Sequence, residues 1–304
     1  MIDSVALRPT HSLKPLLEEL QEEARGPRGT YGSYLWLLRS KPKKNGKKQI
    51  LQMSYSSNAP LKDRVAIVTG GSGGIGRETS KALLENGATV VMSDRNPERG
   101  QKVAHELGLE FFRADVTRPE EIHNLAHHVQ SRFGRIDIAF NNAGIARCVA
   151  SEECTDEVWQ SVIDTDLSGV FYCCREFGKV MLARGKGTII NMASMSGLIS
   201  NVPQSQCAYN AAKAGVIMLT KSLAGEWAKR GVRVNSVSPG YVNTPMTPKD
   251  EIGRDWYDHW MTFSPMRRIA EPQEIAPAVV FLASDASSFV TGSNLVVDGG
   301  YSCW

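Results

Sequence analysis

The chain has 304 residues, of which 42% are hydrophobic and 22% charged, the proportions of an ordinary soluble globular protein. No run of 18 apolar residues occurs, which excludes a spanning helix. Residues 1–60 hold ten of the 35 basic side chains but only five of the 32 acidic ones, so the net +3 belongs to them; the remaining 25 basic and 27 acidic groups argue against a main domain that binds nucleic acid.

In chain order, residues 1–60 read as an N-terminal extension without a core. Pro9, Pro15, Pro27, Pro42 and Pro60 interrupt them, and 41–48 is a solvated basic run, KPKKNGKK. One short helix is expected at 15–24, where Leu16, Leu17 and Leu20 share a face. No continuous apolar signal region is present, and Glu18, Glu19, Glu22 and Glu23 are unlike an acid-poor transit peptide, so a cytoplasmic location is expected. A functional arm and a dispensable leader both fit this segment; Met53 opens a stretch that reads like a natural start of the folded part.

From residue 61 strands alternate with helices. Strands are expected at 65–68, 89–92, 109–112, 136–140, 188–192, 233–237 and 295–297, and helices at 74–86, 97–107, 119–133, 155–183, 208–229 and 272–283. Parallel neighbours need a crossover of a dozen or more residues, which the helices supply. The strands are apolar runs rather than alternating ones, as when both faces are covered. The expected fold is α/β: a doubly wound parallel sheet, a Rossmann fold, in a single domain over 61–304.

Cysteines stand at 148, 154, 173, 174, 207 and 303, with no C-x-x-C pair, no zinc spacing and no disulfide framework. They read as small buried thiols of a reduced intracellular protein. The histidines are lone or on solvated helix faces, so no metal site is expected.

The segment Thr69-Gly70-Gly71-Ser72-Gly73-Gly74-Ile75-Gly76 lies between the first strand and the first helix. Glycines there let the backbone approach a pyrophosphate, and the helix N-terminus offers free N–H groups and a positive dipole end. Asp94 ends the second strand, eighteen positions after Gly76. A carboxylate there can accept from ribose hydroxyls and would repel a 2′-phosphate, which favours NAD over NADP. Arg95 beside it could pair with such a phosphate, so NADP stays open.

Tyr209 and Lys213 lie four apart on a predicted helix, hence on one face. A nearby ammonium favours the phenolate, so the tyrosine pKa is expected to fall and the pair could take or give a hydroxyl proton.

From residue 61 onward the chain resembles the short-chain dehydrogenase/reductase family. The matching motifs, in family order, are TGGSGGIG at 69–76, Asp115-Val116, Asn141-Asn142-Ala143-Gly144, Ser194, Tyr209-x-x-x-Lys213, and Ser238-Pro239-Gly240 with Thr244. The resemblance implies an oxidoreductase that interconverts a secondary alcohol and a ketone with a nicotinamide cofactor. Tyr209 would be the acid/base, Lys213 would tune it and bind the nicotinamide ribose, and Ser194 would hold the substrate oxygen. Gly70, Ser72, Gly73, Gly74, Ile75 and Gly76 would form the phosphate turn, Asp94 and Arg95 would face the ribose, and Asp115 and Val116 would flank the adenine. Asn142, Ala143 and Gly144 would line the cofactor cleft, as would Pro239 and Gly240; Val242 and Thr244 would meet the nicotinamide carboxamide.

One position departs from the family pattern: Asp166 stands where an asparagine usually supports a proton relay. A carboxylate accepts hydrogen bonds but cannot donate while ionised, and it favours a protonated lysine. The proton step is therefore expected to keep working with an altered pH dependence, the alternative being a weakened enzyme.

Residues 245–268 carry Trp256, Tyr257, Trp260, Met261, Phe263 and Met266, which read either as an aromatic lid or as a core or subunit contact. Ser196, Gln204 and Trp260 join Ser194 and Tyr209 as expected substrate contacts. Short polar side chains near the reactive oxygen suit a polyhydroxylated small molecule, and the segments resemble polyol/ketose dehydrogenases. A 3-oxoacyl or other ketone reductase is the alternative, and a non-catalytic nucleotide sensor a remote one. Family members imply a homo-oligomer, tetramer or dimer.

Overall fold

The computed structural model describes residues 59–247 and 253–304. The expected extension lies outside the described residues up to 58, so only its last two positions can be compared. Ala59 and Pro60 already belong to the folded part, since Lys62 N–H donates to the Ala59 carbonyl at 3.1 Å and Leu61 is fully buried.

Seven parallel strands form one sheet: β1 (Val65–Thr69), β2 (Thr89–Asp94), β3 (Glu110–Arg113), β4 (Ile138–Asn141), β5 (Gly187–Met192), β6 (Val232–Pro239) and β7 (Asn294–Val297). Their order is β3-β2-β1-β4-β5-β6-β7. The helices between them are α1 (Gly74–Glu85), α2 (Pro97–Leu107), α3 (Pro119–Phe133), α4 (Asp156–Ile163), α5 (Gly169–Arg184), α6 (Cys207–Trp227), α7 (Arg254–Phe263) and α8 (Ala276–Ala283). Among the described residues, no helix is long and apolar enough to cross a membrane.

Successive strand side chains point to opposite faces, and both faces are apolar. On one, Val65, Ile67 and Ile189 pack with Ile122, Leu125 and Phe177. On the other, Ala66, Val68 and Ile190 pack with Leu83, Val279 and Leu282. This explains the uninterrupted apolar runs. The chain winds outward one way from β1 to β3 and the other way from β4 to β7. The crevice at that reversal, outside the carboxyl ends of β1 and β4, is where such sheets bind ligands.

Several expected elements differ from this fold, many of them by only one or two residues at an end. β4 starts at Ile138, not at 136, because Arg135 and Asp137 form a clasp below it. Asp137 accepts from Val65 N–H at 2.9 Å, from Arg135 at 2.6 Å through each oxygen, and from Arg184 at 3.1 Å. The helix expected over 155–183 is interrupted by a π-helical segment, Asp164–Ser168. Residues 272–283 split into a 3₁₀ turn, Pro272–Glu274, and α8. α7 lies in a segment for which no element was expected. The thiols also need a correction: Cys173 and Cys174 are buried, but Cys148 and Cys303 are exposed and Cys154 and Cys207 half-buried.

Candidate active site

A cleft of about 880 Å³ opens at the carboxyl ends of the strands. The turn after β1 forms one end. Gly70 and Gly74 have φ of +62° and +50°, left-handed values that glycine adopts without strain. Asn142 secures this turn through its side-chain N–H groups, which donate to the carbonyls of Thr69 at 3.1 Å and Gly70 at 3.0 Å. A Cβ on Gly76 would lie 2.3 Å from the Gly70 carbonyl oxygen, whereas a Cβ on Gly73 would meet nothing within 4 Å. The turn is thus closed on its inner side and open toward the cleft.

Gly73 caps α1 without a side-chain hydrogen bond, and the first turn of α1 has no acidic residue. Its N–H groups are available to an anion. This open, uncapped cradle fits a dinucleotide phosphate, on this chain's geometry alone.

Of the expected cofactor residues, Gly70, Gly73, Gly74, Ile75, Asp94, Arg95, Asp115, Val116, Asn142, Ala143, Gly144, Tyr209, Lys213, Pro239, Gly240, Val242 and Thr244 all line the cleft. Ser72 and Gly76 are not among the lining residues. Ser72 turns its hydroxyl to Asp94, and Gly76 packs under the Gly70 carbonyl. Arg99 also lines this end and was not expected, because position three of a helix first turn carries no sequence mark of reaching the cleft.

The reactive end is built from three elements. β5 delivers Ser194 just past its last residue, α6 carries Tyr209 and Lys213, and the π-helical segment brings Asp166. Lys213 Nζ lies 5.3 Å from the Tyr209 ring centroid, donates to the Met192 carbonyl at 3.0 Å, and sits 3.1 Å from Asp166 Oδ2. Asp166 Oδ1 accepts from Ile145 N–H at 2.8 Å. Asp166 and Lys213 are both buried. A π-helical turn carries one extra residue and often marks a functional site; no apolar periodicity announced it.

Burial pushes the Asp166 carboxyl upward, with the Lys213 ammonium opposing. Lys213 is raised: burial alone would lower it, but the Asp166 carboxylate and the Tyr209 phenol outweigh this. Tyr209 is raised by burial and by Asp166, against Lys213 and the Ser194 hydroxyl. The expected fall of the tyrosine pKa is therefore corrected. The ammonium does pull it down, but burial and a neighbouring negative charge push it up further.

At the far end, Ser196, Gln204 and Trp260 line the cleft together with Gln206, Tyr241, Trp256 and Arg147. Gln204 donates to Tyr241 Oη at 2.9 Å and accepts from the Trp260 indole N–H at 3.1 Å. The Tyr241 and Trp260 rings stack with centroids 3.7 Å apart. Gln206 donates to Ser196, Asn201 and Asn210 at 3.0–3.2 Å. The two readings of segment 245–268 merge here: Trp260 borders the cleft and also packs with Met195, Met261, Ile269 and Tyr301, while Phe263 and Met266 are exposed. Tyr241 was missed, although it directly follows the Ser238-Pro239-Gly240 turn. Among the described residues, no group of three His, Cys, Asp or Glu is placed to hold a metal ion.

A family profile described as enoyl-(acyl carrier protein) reductase matches residues 70–302. Galactitol 2-dehydrogenase (L-tagatose-forming) of Cereibacter sphaeroides is 42% identical over 255 residues, covering 83% of this chain and all of that protein. D-arabinitol 2-dehydrogenase [ribulose-forming] of Scheffersomyces stipitis is 38% identical over 278 residues, covering 84% of this chain and all of that protein. A solved short-chain type dehydrogenase/reductase from Mycobacterium marinum superposes with a TM-score of 0.77 at 39% identity, covering 80% of this chain and 97% of that one.

Proposed function

Since the chain belongs to the short-chain dehydrogenase/reductase family of NAD(P)-dependent oxidoreductases that interconvert secondary alcohols and ketones, we propose that its substrates are a polyol and the matching ketose. The observation that carries this reading is the juxtaposition of Ser194, Tyr209 and Lys213 with the polar wall of Ser196, Gln204 and Gln206 in one cleft. Those side chains offer both donors and acceptors, as several substrate hydroxyls require. Relatives named for galactitol, arabinitol and sorbose point the same way.

A nicotinamide cofactor, when bound, takes up or supplies the hydride. Gly70, Gly73, Gly74 and Ile75 would hold its phosphates, Asp94 and Arg95 would face its ribose, and Asp115 and Val116 its adenine. The carboxylate of Asp94 favours NAD. Tyr209 Oη removes the alcohol proton in oxidation and returns it in reduction. Ser194 holds the reacting oxygen by a hydrogen bond and supports the charge that develops on it. Lys213, fixed by the Met192 carbonyl and Asp166, keeps a positive charge beside the phenol. Trp260 closes the substrate end.

A second reading is reduction of a 3-oxoacyl thioester, a ketone that Ser194, Tyr209 and Lys213 in the same cleft could also serve. Absorbance of reduced nicotinamide, followed with C4–C6 polyols and ketoses beside an acyl-thioester ketone, separates the two. Turnover on a polyol with none on the thioester is expected; the reverse result would install the second reading. We further read the protein as a cytoplasmic homo-oligomer joined through α5 and α6, whose Phe171 and Met218 side chains are exposed. Residues 1–52 are read as dispensable for turnover, since Met53 opens the stretch that leads into the folded part.

A further inference from the structure

Two thiols meet where the loop after β4 runs beside the start of α6. Val149 N–H donates to the Ser205 carbonyl at 2.9 Å, and Cys148 Sγ donates to Gln206 Oε1 at 3.9 Å. The 3₁₀ turn Ser151–Glu153 then delivers Cys154, just ahead of Thr155, which caps α4. Cys207 is the first residue of α6, two positions before Tyr209. The Cys154 thiol lies within hydrogen-bonding reach of the Cys207 thiol, and burial together with this neighbour pushes it up. Both thiols are half-buried, so solvent reaches them, whereas Cys173 and Cys174 are buried. Beneath the pair, α4 and α6 are already packed, through Val162 against Ala208 and Ala212. Ile145, Ala146, Arg147 and Cys148 of the same loop line the cleft, as does Gln206.

We propose that Cys154 and Cys207 are a modification site, forming a reversible disulfide that ties the loop after β4 to the start of α6 and slows turnover. In a reducing compartment the pair stays a dithiol, and the bond forms only on oxidation, as in redox-sensing proteins. The co-reactant is a low-molecular-weight disulfide. One protein thiolate attacks it, a small thiol leaves, and a mixed disulfide remains. The second protein thiolate attacks the protein sulfur of that intermediate, the Cys154–Cys207 bond forms, and the second small thiol leaves. The two protein thiols lose two electrons and two protons, which end on the two small thiols. A disulfide holds its sulfurs about 2.05 Å apart, closer than thiols in hydrogen-bond contact, so the bond draws the start of α6 toward the loop. Tyr209 follows about half a helical turn later, and a misplacement of about 1 Å at a reacting group can cost about 10²-fold in rate. The effect on turnover rests on the function proposed above; the thiol pair itself does not.

The full chain, reduced and then incubated with excess oxidised glutathione, alkylated and mapped by peptide mass spectrometry, tests this. Peptides holding Cys154 and Cys207 should appear linked, with two hydrogen atoms lost, and Cys154→Ser should abolish the link. Glutathione adducts at these positions without the link would overturn the inference. Links from either thiol to Cys148 in its place, or a pair still alkylated as free thiols, would do the same. Polyol turnover of the same samples should fall at least about tenfold, return with dithiothreitol, and change by less than about twofold in Cys154→Ser. A linked protein that keeps its rate would overturn the control over turnover. Reduced protein that turns over no polyol counts against the polyol reading, while peptide mapping still judges the pair. Should Cys154→Ser misfold, Cys154→Ala carries the same comparison.

Discussion

Asp166 Oδ2 lies 3.1 Å from Lys213 Nζ, and neither side chain is more than 2% exposed. The carboxylate therefore cancels part of the pull that the ammonium exerts on the Tyr209 phenol. Asp166→Asn keeps the shape and removes the charge, so Tyr209 should ionise more readily. A base acts in its deprotonated form, so the acid limb of the alcohol-oxidation profile should move to lower pH. Turnover of parent and variant measured across pH checks this; superimposable profiles would show that Asp166 does not tune the proton step.

Tyr209→Phe removes the proposed proton carrier while preserving the ring. Turnover should drop by about 10²- to 10⁴-fold, with the far-ultraviolet dichroism unchanged. A variant keeping more than about a tenth of the parent rate would take Tyr209 out of the proton step.

The glycine turn makes a paired stability prediction. Gly76→Ala pushes a methyl group to 2.3 Å from the Gly70 carbonyl oxygen and 2.6 Å from Asn142 Nδ2. Overpacking of this kind costs about 1–3 kcal/mol. Gly73→Ala meets no atom within 4 Å, and its φ of −154° is extended backbone open to any residue. Thermal melting should separate the two variants, with Gly73→Ala close to the parent; equal melting temperatures would contradict the packing argument.

Burial would raise the Asp137 carboxyl, but Arg135, the Val65 N–H and Arg184 more than offset it and hold the group below the usual carboxylate range. A carboxyl whose folded pKa is depressed adds stability above its unfolded pKa and loses it as pH falls through the folded value. Asp137→Asn should cost about 1–3 kcal/mol at neutral pH, a difference that shrinks in acid. Denaturant unfolding at neutral and acid pH measures it, and a pH-independent gap would point to shape rather than charge.

Much of the fold could be read in advance because strand burial on both faces leaves apolar runs such as 65–68 and 188–192 that no solvated element would carry. The site was legible where chemistry restricts the residue type, as at Gly70, Tyr209 and Lys213. It was not legible where a common side chain is recruited by geometry. Arg99 looks like any exposed helix arginine until the fold brings Ser72 and Asp94 beneath it, and Tyr241 becomes part of the wall only by stacking on Trp260. The sign of the Tyr209 shift also escaped, since it depends on burial and on the distance to Asp166, neither of which spacing along one helix conveys.

The π-helical segment Asp164–Ser168 makes the count of residues, and not just their identity, part of the site. Removing one residue there would restore regular α-helical winding. The extra residue is absorbed within that turn, so its loss would leave α4 and α5 nearly in place while re-aiming the side chains between them, Asp166 among them. Insertions and deletions are usually harmless in loops and ruinous in cores; here one would be sterically mild, yet would swing the Asp166 carboxylate away from its ammonium.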